Sequence, residues 1–303
     1  MEKGLRFFEQ ALVRDPRYVL AYSGIADYYI ASVSNGTVAP KEAVPKAKEA
    51  IMKALTIDNS VAELHNTLGY IHVLYDWDWA AAENKFQQAM ELNPDYAESY
   101  HWYAHYLIAT NRLGEALAAS KKCLELDPLN LAFLSHLGWH YWCAGEYDNG
   151  IRHLLKVLDL DPSYLVAQFM LGKCYEGKGM TEEAILAFLQ SVSRVREPEK
   201  VSSLGHAYAI SGKKEEAVKV LKELQSMADD SYVSPCYFVI IFCALEQPDA
   251  ALHWLEKAFE QKDPELLYLG IDPRYDCIRK HPRFLEIQRR VGAPHNAANA
   301  SSG

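Results

Sequence analysis

A short phrase returns along this chain at a fixed interval: an apolar residue, then Asp or Asn, then proline. The three prolines that close it, Pro94, Pro128 and Pro162, lie 34 residues apart. Proline cannot continue a helix, because it lacks the backbone N–H and clashes with the preceding turn. A helix-stop signal that returns at this period indicates stacked helical repeats, in which each unit buries its apolar face only against its neighbours.

Small residues occupy two positions in each unit, where a first helix, A, would cross a second helix, B. They are Gly138 and Gly150 in one unit, and Gly172 and Ala184 in the next. Glycine or alanine at a crossing lets two backbones approach closely. A 34-residue period with this pattern is that of the tetratricopeptide repeat, a pair of antiparallel helices. The sequence therefore predicts an all-α tetratricopeptide solenoid, a right-handed superhelix of helix pairs.

Seven helix pairs follow from this pattern, and capping helices are expected after them at 266–291. The pairs are predicted at 19–61, 62–96, 97–130, 131–164, 165–197, 198–231 and 232–265. The first pair is longer than the others, and its surplus fits a loop at 34–40 between the two helices. The tail at 292–303 is small and polar, so we expect it to be disordered.

The chain opens on half a repeat. Gly4, Phe8, Ala11 and Pro16 fit the helix B positions, so residues 1–18 are predicted to form the lone helix B of a truncated repeat. An unpaired helix exposes an apolar face, which favours a cut inside a longer parent protein. A native start with a capping helix is the alternative. The exposed face is also a surface through which the chain can form a homo-oligomer.

Composition argues against several classes of partner. The net charge is −9 and no cluster of Lys and Arg is present, so nucleic acid is not an expected ligand. The longest apolar run, Cys236–Leu245, is far shorter than the roughly 20 residues that cross a bilayer, so no membrane partner is predicted. Six cysteines without a CxxC pair favour free thiols and a reducing, cytoplasmic location.

Two local motifs have simple explanations. Gly172–Gly179 resembles the start of a phosphate-binding loop, but a glycine stands where Ser or Thr is needed and no strand precedes it. Asn35-Gly36-Thr37 is a glycosylation sequon, which we expect to be idle in a protein with free thiols. The sequence predicts no catalytic residues, no cofactor and no enzymatic activity.

Two histidine pairs have the spacing of helical metal ligands. They are His101 with His105, and His136 with His140. The first pair is expected to face the concave side of the array and the second pair a different face of its helix. Because no third ligand is evident for either pair, no metal site is predicted.

Several phrases carry a closer resemblance: Tyr75-Asp76-Trp77-Asp78-Trp79, His101-Trp102-Tyr103-Ala104, Leu137-Gly138-Trp139, Leu204-Gly205-His206-Ala207-Tyr208-Ala209, Tyr232-Val233-Ser234-Pro235 and Asp272-Pro273-Arg274-Tyr275-Asp276. Over about residues 1–291 the chain resembles the tetratricopeptide region that follows the winged helix of CadC-type bacterial regulators. Similar regions occur in some bacterial Ser/Thr kinases and adenylate cyclases. The resemblance implies a module that binds a protein or peptide for an attached output domain. It carries over neither DNA binding nor catalysis, because no output domain is present in this sequence.

The A helices of such an array line its concave side. In the central repeats the residues at these positions are Glu63, Asn66, Tyr70, Glu98, His101, His105, Trp139, Trp142, Phe169 and Lys173. Aromatic residues among hydrogen-bonding groups suit a bound peptide, and Glu63 and Glu98 favour a partner with Lys or Arg. Only Asn66 and Lys173 resemble the residues with which some arrays clamp a C-terminal carboxylate, so that mode is not expected. An enzyme or small-ligand sensor that uses the same aromatic and His residues is the alternative.

Overall fold

The computed structural model describes residues 2–34 and 36–294, which form α-helices and short helical turns without a strand. The helices are α1 (Glu2–Arg14), α2 (Val19–Ser34), α3 (Pro40–Ile57), α4 (Ala62–Ile71), α5 (Trp79–Leu92), α6 (Ala97–Ala109), α7 (Leu113–Leu126), α8 (Leu131–Cys143), α9 (Tyr147–Leu160), α10 (Leu165–Gly177), α11 (Thr181–Ser191), α12 (Pro198–Ile210), α13 (Lys214–Asp230), α14 (Pro235–Ala244), α15 (Pro248–Gln261) and α16 (Pro282–Val291). The all-α solenoid expected from the repeat is confirmed. Met1, Asn35 of the sequon, and 295–303 of the predicted tail lie outside the described residues.

Consecutive helices from α2 to α15 pack as pairs, each helix A against the helix B that follows it. The even-numbered members are the A helices. Small residues make this contact close, as the pattern requires. A Cβ added at Gly138 would lie 2.4 Å from Leu154 Cγ, and one at Gly172 would lie 2.6 Å from the Phe188 ring. Any larger residue at either position would push helix B away from helix A.

The connections between helices are equally regular. Asn93, Asp127 and Asp161, which precede the periodic prolines, are not helical, with φ of −142°, −138° and −140°. Proline disfavours the helical conformation of the residue before it, so each B helix stops there. The turns from A to B contain a left-handed residue, for example Gly145 (φ 71°) and Gly179 (φ 80°), a conformation that glycine adopts without strain.

Two units depart from this regularity. The first pair has longer helices than the central pairs, with 16 residues in α2 and 18 in α3, so its surplus lengthens the helices as well as their connection. In the second pair α4 continues into a π-helical turn, His72–Asp76, and Trp77 is left-handed with φ 58°. A π turn accommodates one extra residue within a helix. Here it directs the Trp77 ring towards Lys262, near the C-terminal end of the array.

The two ends of the array contact each other. Trp79 of α5 donates from Nε1 to the carbonyl of Val291, the last residue of α16, at 3.0 Å. Lys262 donates from Nζ to the carbonyl of Tyr75 at 3.2 Å and lies 3.7 Å from the centre of the Trp77 ring. The helix pairs therefore curve into a closed arrangement, in which residues 187 and 212 positions apart share hydrogen bonds.

The lone first helix packs on α2. Phe8 fills the space above Gly24, where an added Cβ would lie 2.3 Å from the Phe8 ring. Phe7 and Val13 remain 59% and 84% exposed. Part of the apolar face of α1 is thus covered within the chain and part is left to solvent.

The crossing contact predicts a difference between two alanine substitutions. Gly138→Ala should lower the free energy of unfolding by about 1–3 kcal/mol, because the new methyl overlaps Leu154. Gly114→Ala is the matched control: nothing lies within 4 Å of its Cβ position, so it should be neutral or stabilising by up to about 1 kcal/mol. Urea unfolding followed by circular dichroism measures both, and equal stabilities would contradict the steric account.

Candidate functional site

The ten groove residues predicted from the sequence lie on four A helices, α4, α6, α8 and α10. Three are half-buried: Glu63, Tyr70 and Glu98. Seven are buried: Asn66, His101, His105, Trp139, Trp142, Phe169 and Lys173. The structure thus divides the concave surface into an accessible part near the N-terminus and a covered part further along.

The cover is the chain's own segment from Asp263 to Asp276, which we call the inner segment. Its Tyr268 meets Trp139 of α8 edge to face, with ring centres 5.1 Å apart. Its Arg274 lies 5.6 Å from the Trp142 ring and donates to Ser203 Oγ of α12 at 3.1 Å. The inner segment therefore occupies the place along the A helices where a bound peptide was expected.

A buried ion pair holds the turn of the inner segment. Arg274 Nη2 lies 2.6 Å from Asp272 Oδ2, and the two side chains are only 8% and 6% exposed. Burial alone would raise the pKa of Asp272, but the charge and hydrogen bonds of Arg274 outweigh it, so this pKa lies below its usual value. Arg279 donates to the carbonyls of Leu269 and Asp272 at 2.7 and 2.5 Å, which closes the turn from the other side.

Lys173, one of the two predicted clamp residues, is used internally. Its Nζ lies 3.1 Å from Glu199 Oε1 and 4.8 Å from the centre of the Phe169 ring. Burial, and then the charge of Glu199, raises the pKa of Glu265 in the inner segment. Lys173 thus offsets negative charge between α12 and the inner segment and is not free to bind a carboxylate from outside.

The accessible part of the concave surface is a cavity of about 400 Å³ between α2, α4 and α6. We call it the acidic groove. Its polar and aromatic lining consists of Asp27, Ser34, Asn66, Thr67, Tyr70, Tyr96, Glu98 and Trp102. The rings of Tyr70 and Trp102 lie 4.2 Å apart, and together they form an aromatic wall between the carboxylates.

The carboxylates of the acidic groove have no cationic partner among the described residues. Glu98 accepts from Trp102 Nε1 at 3.0 Å, and Asp27 accepts from Thr67 at 3.3 Å. Partial removal from water raises the pKa of Asp27 to about 6, and the charges of Glu98 and Glu63 add to the shift. Uncompensated carboxylates in a cleft attract a cationic group.

One buried acceptor also faces this groove. Asn66, the second predicted clamp residue, is 3% exposed, and its side-chain oxygen has no hydrogen-bond partner within the described structure. A buried acceptor without a donor costs roughly 1–3 kcal/mol. A donor supplied by a ligand would recover this energy.

The two histidine pairs, which were expected on different faces of their helices, meet in the structure. His105 Nε2 lies 3.0 Å from His136 Nδ1, and the rings of His101 and His136 lie 4.8 Å apart. The rings of His105 and His140 are 5.0 Å apart. The reason is that neighbouring A helices pack side by side, so the face of α8 that carries His136 and His140 points back at α6.

The other motifs have structural roles. Gly172 lies inside α10 against Phe188, and Lys178 pairs with Asp148, so Gly172–Gly179 does not form a phosphate-binding loop. All six cysteines are free. Across the described residues, no helix combines the length and apolar character needed to span a membrane.

Sequence reasoning missed two features of this surface. Asp27 and Trp102 line the acidic groove although they were not among the predicted site residues. Asp27 stands at an A-helix position equivalent to that of His105, which was the available signal. In the sequence, the inner segment is marked only by the phrase Asp272–Asp276. No periodicity relates that phrase to the A helices that the segment contacts.

Comparison with known proteins agrees with this architecture. Sequence models of the tetratricopeptide repeat match residues 85–118, 136–196 and 202–231. The transcriptional regulator HilA of Salmonella typhimurium is 28% identical over 153 residues, which is 50% of this chain and 27% of HilA. The TPR repeat-containing protein YpiA of Bacillus subtilis is 23% identical over 269 residues, 87% of this chain and 61% of YpiA. The chain thus spans about a quarter of the length of HilA.

Solved structures show the same fold at low sequence identity. One is from the Cut9–Hcn1 hetero-tetramer of the APC/C, with a TM-score of 0.61 and 16% identity, and it covers 95% of this chain and 52% of that one. Another is PilW, a type IV pilus biogenesis factor, with a TM-score of 0.54 and 20% identity, covering 69% of this chain and 92% of that one. At these identities the likeness concerns the fold alone.

Arg274→Met should lower the free energy of unfolding by about 3–5 kcal/mol, because it leaves Asp272 buried without a cation. Arg289→Met is the control, since its pair with Glu286 is exposed and should contribute at most about 1 kcal/mol. Chemical denaturation of both variants measures the difference. A loss in Arg274→Met no larger than in the control would mean that the pair does not hold the inner segment.

Proposed function

Because this chain is a tetratricopeptide repeat protein, we propose that it is a binding scaffold whose acidic groove receives a segment of a protein partner that carries Lys or Arg. The observation that carries the proposal is the set of groove carboxylates without a cation, placed beside an aromatic wall. Families with this repeat are generally non-enzymatic scaffolds, and none of the matching sequence models is of a catalytic family.

The acidic groove offers three kinds of contact to an extended peptide. Asp27 and Glu98 attract a Lys or Arg side chain from opposite sides of the cleft. Tyr70 and Trp102 present ring faces, on which the same cation or an apolar neighbour can lie. The unpaired oxygen of Asn66 accepts a backbone N–H or a charged donor. The covered part of the concave surface offers no such room to a peptide, because the inner segment lies against Trp139 and Trp142 there.

We propose further that the chain serves as the sensing or recruitment module of a larger bacterial regulatory protein. The similarity to the transcriptional regulator HilA over half of this chain supports this role, as do the motifs shared with CadC-type regulators. The six free cysteines support a cytoplasmic location. Self-association through the terminal helix α1 remains a prediction, which sedimentation equilibrium would test.

Selection from a random-peptide display library on the 303-residue chain should enrich peptides that contain Lys or Arg. For a selected peptide, Glu98→Gln should weaken binding by about 1 kcal/mol, roughly fivefold, through loss of one groove charge. Glu91→Gln, on the exposed surface of α5, is the charge-matched control and should leave the affinity unchanged. Fluorescence anisotropy measures both.

Enrichment of acidic or wholly apolar peptides would contradict the proposal. So would equal effects of Glu98→Gln and Glu91→Gln, because binding would then respond to net charge rather than to the groove. The affinity should also fall as salt is raised, since exposed charges are screened at about 10 Å in 0.1 M salt.

Binding should depend on pH through Asp27. Its pKa of about 6 means that the carboxylate is charged at pH 7.5 and mostly neutral at pH 5, so affinity for a cationic peptide should fall as pH decreases through about 6. Asp27→Asn removes this titration, and its affinity should change less between pH 7.5 and 5 than that of the wild type. A wild-type affinity that stays flat over this range, or a variant with the same slope, would exclude Asp27 from the site.

A further inference from the structure

Four histidines from two neighbouring A helices form one cluster beside the inner segment. His101 and His105 come from α6, and His136 and His140 from α8. One ring nitrogen from each of His101, His105 and His136 can be chosen so that all three lie within 4.8 Å of one another. Three imidazoles at this separation, two of them spaced i, i+4 on one helix, have the composition of a transition-metal site.

The cluster is in the protonation state that metal binding requires. Burial lowers the pKa of His101 and of His105 well below the usual value, and it lowers the pKa of His136 to about 4. All three are therefore neutral at pH 7, and a neutral imidazole always keeps one bare ring nitrogen. The contact between His105 and His136 holds one proton between two facing nitrogens. If that proton moves to the other nitrogen of the same ring, both facing nitrogens are bare and can bind one metal ion.

His140 adds a nitrogen that nothing else uses. Its Nδ1 lies 2.6 Å from Ser120 Oγ, and that hydroxyl is placed to donate to the carbonyl of Ala116 at 2.9 Å. His140 then donates from Nδ1, which leaves Nε2 as a bare acceptor. Nε2 is buried and has no partner in the part of the chain that the structure describes. Metal-binding histidines characteristically fix one ring nitrogen by such a hydrogen bond and present the other.

We propose that His101, His105 and His136 bind one Zn²⁺ ion between α6 and α8, with His140 or water in the fourth position. Imidazole ligands without thiolate or carboxylate suit Zn²⁺ and its neighbours Co²⁺, Ni²⁺ and Cu²⁺. Tetrahedral bonds of about 2.0–2.1 Å place nitrogens roughly 3.4 Å apart. The rings must therefore close by up to about 1.4 Å from their present separation, which side-chain rotation supplies.

The surroundings set the entry path and the charge of the site. His136 is only half-buried, so an ion reaches the cluster from its side. Glu199 favours positive charge at His136 and Lys173 opposes it, and these two form an ion pair with each other. The Trp139 ring stacks on His105, with ring centres 5.1 Å apart, and meets Tyr268 of the inner segment. Binding of an ion at the cluster should therefore change the fluorescence of Trp139.

The test is metal titration of the complete chain without a polyhistidine tag, after removal of metals with a chelator. Isothermal calorimetry with Zn²⁺ should show one ion per chain, and Co²⁺ should give the visible absorption of a tetrahedral complex that Zn²⁺ abolishes. His136→Gln and His105→Gln should each weaken Zn²⁺ binding at least tenfold. His253→Gln, at an exposed position of α15, is the matched control and should bind as the wild type does.

Two outcomes would overturn the site. One is a wild type that binds no stoichiometric Zn²⁺. The other is Zn²⁺ binding that survives both His136→Gln and His105→Gln, which would place the ion elsewhere. Should these variants fail to fold, the wild type decides alone through its Co²⁺ spectrum. An all-imidazole site should lack the intense thiolate-to-metal charge-transfer band of a cysteine site, and the presence of that band would place the ion at cysteines instead.

Discussion

The contact between a small residue on helix A and a bulky side chain on helix B sets the geometry of this protein. Where Gly138 meets Leu154 and Gly172 meets Phe188, the two helices of a pair approach to the limit that a missing Cβ permits. The helix pairs curve so that the second pair lies within hydrogen-bond distance of Val291 and Lys262.

Curvature alone leaves an inner surface, and the chain uses that surface in two ways. Along its covered part, the inner segment buries Trp139 and Trp142 and introduces the ion pair of Asp272 and Arg274. Burying two charges is costly unless they are well paired and hydrogen-bonded, and here Arg279 and Ser203 complete the network. Along the open part, Asp27 and Glu98 carry charge that no described cation offsets. The first arrangement stabilises the fold, and the second is what a binding site requires.

The repeat made the helices predictable, because steric rules at glycine and proline act within one unit and leave a periodic trace. Gly172 and Pro128 needed no knowledge of the rest of the chain to be interpreted. The concave position of Asn66, Glu98 and Trp139 followed from the same period. Their accessibility did not, because it depends on a segment that lies outside the periodic array.

The histidine cluster shows the same limit. Its four members were visible as two pairs on different faces of their helices, but the pattern of one helix does not say which neighbouring helix each face meets. Only the side-by-side packing of α6 and α8 turns the face that carries His136 towards the first pair. A 34-residue period carries even less information about contacts between non-adjacent units, such as that of Trp79 with Val291.

Hydrogen exchange of the inner segment tests most directly whether it fills the concave surface. The amides of Ile271 and Asp272 both donate to the carbonyl of Tyr268, and Asp272 is buried. They should exchange as slowly as the amides of α6 and α8, because their opening requires the ion pair of Arg274 to break. Exchange as fast as in the exposed connection at 193–197 would show that the segment is not held there, and that the whole concave surface is open to partners.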